Sequence, residues 1–501
     1  MTATLFIVVV VVATALVFDF TNGFHDSSNA MATSVATGAF TPKRAVLVAA
    51  VLNVIGALLS TEVARTISHG MFNDALIEAA PEMVFAGLAG AILWNLATWL
   101  FGLPSSSSHA LFGGLIGAVI MAAGLQGVHW GTVISKIILP ALIAPCVAGT
   151  ASALATWIAY RIAHPTDRFS QTIFRNGQRV SASMVALAHG TSDGQKTMGV
   201  ITLVLIAAGY QAPGTPPQWW VIAAAGLAIG LGTYSGGWRI MRTMGKGLVH
   251  IDPPQGFASE TASTVAILAS SHLGFALSTT HICTGSILGS GVGRGSKVSW
   301  GTFGRMGVAW LITLPCAAVV GALTSYVAVR GGVAGTVAVI IALAVGALLI
   351  IRQANHNKVD FSNVNGRRGQ ADRPGPGPPA AHAAGGQGRI RHRSGPGRHL
   401  PGARALDLRH RPPLAEGARG MSGLHVDWAS LALVTVVTVT VTALVILIVS
   451  LAARMLGEVR LKREAGRAQG LHAAEVAAGF FLALTAGIVL FGLWLIVPYF
   501  H

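Results

Sequence analysis

Charge is scarce in this sequence: Asp, Glu, Lys and Arg together make up 10% of its 501 residues, where a soluble domain carries about 25%. That shortage excludes an ordinary water-solvated fold. Hydrophobic residues reach 52% and mean hydropathy is +0.63, which suits a chain surrounded by lipid. Cysteine is scarcer still. Cys146, Cys283 and Cys316 stand singly in apolar surroundings, so neither a disulfide framework nor a zinc site is expected, and buried thiols are the plain reading. Acids are outnumbered, 18 against 34 Lys and Arg, for a formal charge of +16.

The placement of the positive charge argues against nucleic acid as its partner. Arg161, Arg168, Arg175 and Arg179 fall in one polar link, Arg239, Arg242 and Lys246 in another, and Arg294, Lys297 and Arg305 in a third. Short basic links between apolar spans fit cytoplasmic loops. The stretch from Glu62 to Glu82, with Asp74 and Glu78, is acidic and reads as exterior. Apolar runs recur at Leu5 to Val17, Ala45 to Leu59, Met83 to Leu100, Ile137 to Tyr160, Trp219 to Leu231 and Thr336 to Ile351. Several approach the ~20 residues that cross a bilayer as a helix. Their recurrence excludes a lone signal peptide, so the first run is expected to stay in the mature protein.

An internal repeat organises the chain. Asn22-Gly23-Phe24-His25-Asp26-Ser27-Ser28-Asn29 is answered by His189-Gly190-Thr191-Ser192-Asp193-Gly194-Gln195-Lys196, with Gly23 matching Gly190 and Asp26 matching Asp193 at an offset of 167. In the same order, Gly102-Leu103-Pro104-Ser105-Ser106-Ser107-Ser108-His109 is answered by Gly274-Phe275-Ala276-Leu277-Ser278-Thr279-Thr280-His281 at an offset of 172. Glycines follow each histidine, at Gly113 and Gly117 and again at Gly285 and Gly289, a spacing that lets helices approach closely.

Duplicated halves meeting near the bilayer midplane, with discontinuous helices aimed at the substrate, are a recurring carrier architecture. The expected fold is therefore an all-α polytopic membrane protein, an inverted-repeat secondary transporter with discontinuous helices and about 10 to 12 membrane segments plus a C-terminal two-helix hairpin. The divisions are a first repeat at 1–165, a basic cytoplasmic link at 166–180, a second repeat at 181–351, a linker at 352–425 and a membrane hairpin at 426–501. Within that linker, residues 366–420 are rich in Arg, Pro, Gly and His, with a net charge of +8 from eleven arginines against Asp372, Asp407 and Glu416. This composition predicts disorder.

Asp26 and Asp193 lie in apolar surroundings, where an ionised carboxylate costs at least ~2.5 to 3.5 kcal/mol on insertion scales. Helix capping, or pairing with Lys196, would account for one such acid; retention beside the same glycine in both halves favours a shared central site. Ser105, Ser106, Ser107 and Ser108, and likewise Ser278, Thr279 and Thr280, follow an expected helix break and precede an apolar helix. Hydroxyls and free backbone N–H groups at a helix start cradle a tetrahedral oxyanion, while ordinary N-capping explains either run taken alone.

An anion beside two carboxylates is repelled in a low dielectric unless a cation enters too. This is the physical basis expected for symport. Asn22, Asn29 and Gln195 offer neutral oxygens to a hard cation, and protonation of an acid would serve as well. His25, His109, His189 and His281 are candidates for titration or ligation, with a structural role at least as well supported for each. Glu260, at the start of an apolar stretch, divides evenly between helix N-terminal stabilisation and coupling. No dedicated metal site and no cofactor is expected.

At these motifs the chain resembles the bacterial, low-affinity members of the inorganic phosphate transporter (PiT) family, over roughly residues 1 to 360. The resemblance implies a carrier whose two halves jointly bind inorganic phosphate, with Asp26, Asp193 and both hydroxyl runs in the site. It implies a co-transported cation, proton or sodium, with the proton form favoured, and phosphate accepted as a neutral complex with magnesium or another divalent metal. It implies a multi-pass location in the bacterial cytoplasmic membrane, and a homo-oligomer is compatible with it. Ala276 departs from the proline usual there, which predicts a less rigid second break.

Three rivals remain. The same fold could carry sulfate. Gly190-Thr191-Ser192-Asp193-Gly194 spells the G-x-S-x-G turn of hydrolases, although an alanine-rich helical segment precedes it where that motif needs a strand. A phosphate sensor would bind without flux.

Overall fold

The computed structural model describes residues 3–71, 80–163, 168–365 and 426–496. The expected disordered stretch at 366–420 lies outside the described residues. Those residues are helical throughout apart from short connections, with one antiparallel bridge between Val249 and Val298.

The first half comprises α1 (Ala3–Ala36), α2 (Pro42–Ala57), α3 (Glu62–Gly70), α4 (Glu82–Leu100), α5 (Ser107–Ala123) and α6 (Trp130–Ala163). The second comprises α7 (Arg168–Ala207), α8 (Trp219–Ser235), α9 (Trp238–Gly247), α10 (Pro253–His272), α11 (Thr279–Arg294) and α12 (Trp300–His356). The correspondence extends to details of shape: α2 bends into α3 by 66°, and α8 bends into α9 by 59°. Helix α12 is two helices in one, broken at Gly332, whose φ of 53° and ψ of −132° lie outside the helical region.

The halves interlock instead of lying side by side. Helix α1 packs on α8 and α7 on α2, while α5 packs on α12 and α11 on α6. Glycine sets the last two contacts: a Cβ at Gly117 would stand 1.9 Å from the carbonyl oxygen of Ala318, and one at Gly289 2.0 Å from that of Gly149. The paired glycines read from sequence are thus the places where one half's backbone rests on the other's.

Among the described residues six helices are long and apolar enough to cross a bilayer, or up to eight when each bent pair counts as one span, against the ten to twelve segments expected. Two features lower that count. Helix α12 counts once despite its break, and α7, at 40 residues, carries His189, Asp193 and Lys196 in its middle. Such polar helices are covered by protein. By contrast, only 17% of the most apolar window of α12 is buried, which leaves Leu311, Leu323 and Leu348 facing outward as a lipid-facing surface requires.

The basic link expected at 166–180 is mostly helix. Arg168, Arg175 and Arg179 belong to the first turns of α7, because Ser170, Phe174 and Gln178 recur every four residues and bury one face of it. Arg239, Arg242 and Lys246 likewise lie on α9. At the C-terminus α13 (Trp428–Glu464) and α14 (Leu471–Ile496) form the expected hairpin, with α13 packed on α6 and α10.

Candidate functional site

Each half makes the same break before its hydroxyl run. Gly102, at φ 64°, and Gly274, at φ 70°, take the left-handed conformation that favours glycine. An extended segment follows and ends at an N-cap serine, Ser106 (φ −94°, ψ 109°) or Ser278 (φ −87°, ψ 110°). The two turns agree despite Ala276, so the missing proline leaves the shape of the second break unchanged. The side chains of Ser106 and Ser278 accept from the backbone N–H of His109 and His281 at 3.2 and 3.3 Å. Ordinary capping therefore accounts for these two residues. It does not account for their neighbours.

Thr279 and Thr280 face the acids themselves, while Ser105 and Ser107 meet His25 and Ser108 meets Lys196, the side chains that hold those acids. Thr279 donates to Asp193 Oδ2 at 3.1 Å and Thr280 to Asp26 Oδ1 at 3.4 Å. Asn29 donates to Thr280 at 3.0 Å. Lys196, which stands at the repeat position of Asn29, donates to Ser108 Oγ at 2.6 Å, to the Leu277 carbonyl at 2.9 Å and to Asp193 Oδ1. Each acid-bearing helix thus reaches the other half's hydroxyl run, and one centre is built from both halves.

Asp26 and Asp193 are buried, and one ligand atom from each, with one from His189, lie within 4.8 Å of one another. His25 Nδ1 sits 2.6 Å from Asp26 Oδ1, and its Nε2 lies 3.3 Å from both Ser105 Oγ and Thr98 Oγ1. Ser107 Oγ is 3.5 Å from His25 Nδ1. His189 holds Asn53 Oδ1 with Nδ1 at 3.1 Å and places Nε2 3.2 Å from Asp193 Oδ2. The oxygens Asn22 Oδ1 and Asn29 Oδ1 are buried without a hydrogen-bond partner among the described residues.

Other expected residues are placed elsewhere. Gln195 turns away from the acids: its Oε1 accepts from the Val63 N–H at 2.7 Å and its Nε2 donates to the Thr191 carbonyl at 2.5 Å, so it secures the start of α3. Glu260 is not at a helix start, because Asp252 caps α10 a full two turns earlier, with Gln255 completing a capping box. Instead it accepts from Thr33 at 2.5 Å, Ser181 at 2.6 Å and Gln178 at 3.1 Å, and so joins α1, α7 and α10. His109 and His281 stack on each other with ring centroids 4.9 Å apart, and His281 lies 4.1 Å from Trp310. They brace the two helix starts against each other.

Sequence reasoning missed Thr98, Asn53, Thr33 and Asp19. The first three are ordinary polar residues in apolar helices and carry no spacing signal. Asp19 did carry one: it is an acid seven residues before Asp26 in an apolar run, hence on the same helical face.

A two-halved helical bundle with a buried polar centre and a lipid-facing surface is that of a multi-span membrane transporter. Residues 22–321 match the family model described as the phosphate transporter family, and the chain belongs to that family. It is 53% identical over 370 residues to a Mycobacterium leprae protein, covering 73% of this chain and 89% of the relative. It is 39% identical over 329 residues to one from Bacillus subtilis, covering 64% and 97%. Both carry the name "Probable low-affinity inorganic phosphate transporter". A solved structure titled "The sodium-dependent phosphate transporter" shares the fold, with a TM-score of 0.56 at 22% identity over 64% of this chain and 98% of that one. Family members are transporters and not enzymes, so the G-x-S-x-G match is accidental: Ser192 lies inside the unbroken helix α7.

Proposed function

We propose that the protein imports inorganic phosphate across the bacterial cytoplasmic membrane together with a cation, by alternating exposure of the site shared between its halves. The observation that carries this reading is the meeting of Asp26 and Asp193 with the starts of α5 and α11. Free N–H groups and hydroxyls at Ser107, Ser108, Thr279 and Thr280 supply donors to the oxyanion, and both helix dipoles present their positive ends to it.

The charge balance explains why a cation must accompany it. Two carboxylates within 4.8 Å of each other repel by about 3.5 kcal/mol at an effective dielectric of about 20. Lys196 offsets one negative charge; phosphate adds at least one more. A cation entering with the anion restores the balance, whether it arrives as a proton or as sodium.

The Asp26, His189 and Asp193 group also supports acceptance of phosphate as a neutral complex with a divalent metal. Two carboxylate oxygens and one imidazole nitrogen form a donor set that magnesium or a related ion can share with phosphate oxygens.

Radiolabelled phosphate uptake into proteoliposomes, under separately imposed proton, sodium and magnesium gradients, tests the reading. Asp26→Asn and Asp193→Asn are each expected to abolish uptake while membrane insertion is retained. Wild-type flux in either variant removes that acid from the mechanism. Excess sulfate is expected to leave uptake unchanged, and full competition would make the protein a general oxyanion carrier.

A further inference from the structure

Asp19 is the acid that the central site does not explain. It is 0% exposed, and the donors facing it are the Thr197 and Asn22 side chains, in a geometry too loose to close a short hydrogen bond among the described residues. Asp26 has His25 and Thr280, and Asp193 has Lys196, Thr279 and His189. Among the described residues Asp19 has no short-bonded or ion-pair partner of that kind, only the looser approach of Thr197 and Asn22.

Its neighbours share that condition. Asn22 stands three residues further along α1, on the same face, and Thr197 belongs to α7, which packs along α1; both side chains lie beside the Asp19 carboxylate. Asn22 Oδ1 and Thr197 Oγ1 are also buried and, among the described residues, close no short hydrogen bond. Four buried oxygens on three adjoining side chains therefore meet between two helices, linked by nothing stronger than the loose approach of Thr197 and Asn22 to the carboxylate.

Buried polar atoms of this kind are rare and call for an occupant. A water molecule would satisfy the neutral oxygens but leave the negative charge uncompensated. A proton would neutralise the carboxyl and the Thr197 hydroxyl can donate to it, yet no single arrangement of these short donors gathers all the oxygens around one centre. A hard cation takes oxygen ligands from carboxylates, amides and hydroxyls together, and a single carboxylate matches a single positive charge.

We propose that Asp19, Asn22 and Thr197 form a binding site for a monovalent hard cation of the sodium type, between α1 and α7. The site rests on the reading of cation-coupled import and names where the accompanying ion binds. It lacks a twin, since the repeat position of Asp19 is Ala186. Asp193 and Lys196 are near enough to act on Asp19 electrostatically, so an ion there changes the potential at the phosphate centre.

The test is equilibrium binding of radioactive sodium to the purified full-length chain without phosphate, which does not depend on transport. Wild type is expected to bind sodium saturably, and Asp19→Asn to lose that binding. Thr197→Val should raise the half-saturating concentration by about tenfold or more, whereas Thr197→Ser, which keeps the oxygen, should bind as wild type does. The serine and valine variants decide the matter if Asp19→Asn fails to fold. No saturable binding by wild type overturns the proposal, as does unchanged binding in both Asp19→Asn and Thr197→Val. Phosphate uptake driven by protons alone, with no sodium bound, would sink this site and leave the phosphate reading standing. Sodium bound as expected with no phosphate flux under any gradient would do the reverse.

Discussion

Replacing Lys196 with methionine removes the ammonium group that lies inside the buried centre among the described residues, while keeping a chain of similar length. The ammonium has three donors, and all three are used: one on Asp193, one on Ser108, one on the Leu277 carbonyl. Its loss leaves Asp193, 0% exposed, held among the described residues by Thr279 at 3.1 Å and by the proximity of His189. At a contact of about 3 Å and an effective dielectric of about 20, the lost attraction is about 5 kcal/mol. Removal of one partner from a buried pair costs roughly 3 to 5 kcal/mol in measured cases. Lys196→Met should therefore destabilise the chain by about 3 to 5 kcal/mol, read by tryptophan fluorescence during reversible denaturation in mixed detergent. Asp193→Asn should cost a comparable amount, because it strands the ammonium instead. The double variant Lys196→Met/Asp193→Asn should cost clearly less than the two single losses combined. A coupling below about 0.5 kcal/mol, the range of independent sites, would refute the reasoning, since the two groups would then not share a buried charge pair.

Other outcomes follow from packing and hydrogen bonding. Gly117→Ala and Gly289→Ala each push a methyl group into a facing carbonyl oxygen and should cost at least about 1 to 3 kcal/mol, seen as a lowered melting temperature in detergent, whereas Gly301→Ala, with open space around it, should leave that temperature unchanged. Glu260→Leu strands the donors of Thr33, Ser181 and Gln178 at about 1 to 3 kcal/mol for each unsatisfied group, and yield of folded protein should drop. Glu260→Gln keeps an acceptor there and should fold; equal yields from the two variants would show that these bonds contribute little.

The frame of the fold was legible because duplication amplifies weak signals. Neither Gly102 nor Gly274 alone announces a helix break, and the serine run alone could be a simple cap; together, at one offset and in one order, they located two breaks with the same geometry. Pairwise direction was not legible. Gln195 follows Asp193 by two residues, and helical geometry sends its side chain to a different face from the acid's, toward Val63. Glu260 was misplaced at a helix start because the capping signal, Asp252 followed by Pro253 and Gln255, lay earlier than the apolar stretch suggested. Arg168 to Arg179 read as a link because charge density obscured the buried face of α7.

Where the halves differ is as informative as where they agree. The backbone frame is duplicated to within a few degrees at the hydroxyl turns, yet the charged groups are not: Asn29 is answered by Lys196, Asn22 by His189, and Asp19 by Ala186. A symmetric frame suffices for the anion, since two similar helix starts can hold a tetrahedral group from opposite sides. The charged groups are distributed asymmetrically. The second half carries its own positive charge, tethered through Lys196 to Asp193, whereas the first half adds a further acid that has no ion-pair partner among the described residues. A fixed ammonium cannot be released with the cargo; an ion held by Asp19, Asn22 and Thr197 can. On this division of labour the first half, and α1 above all, sets which ion accompanies phosphate, and exchanging Lys196 should alter the stability of the centre far more than the identity of that ion.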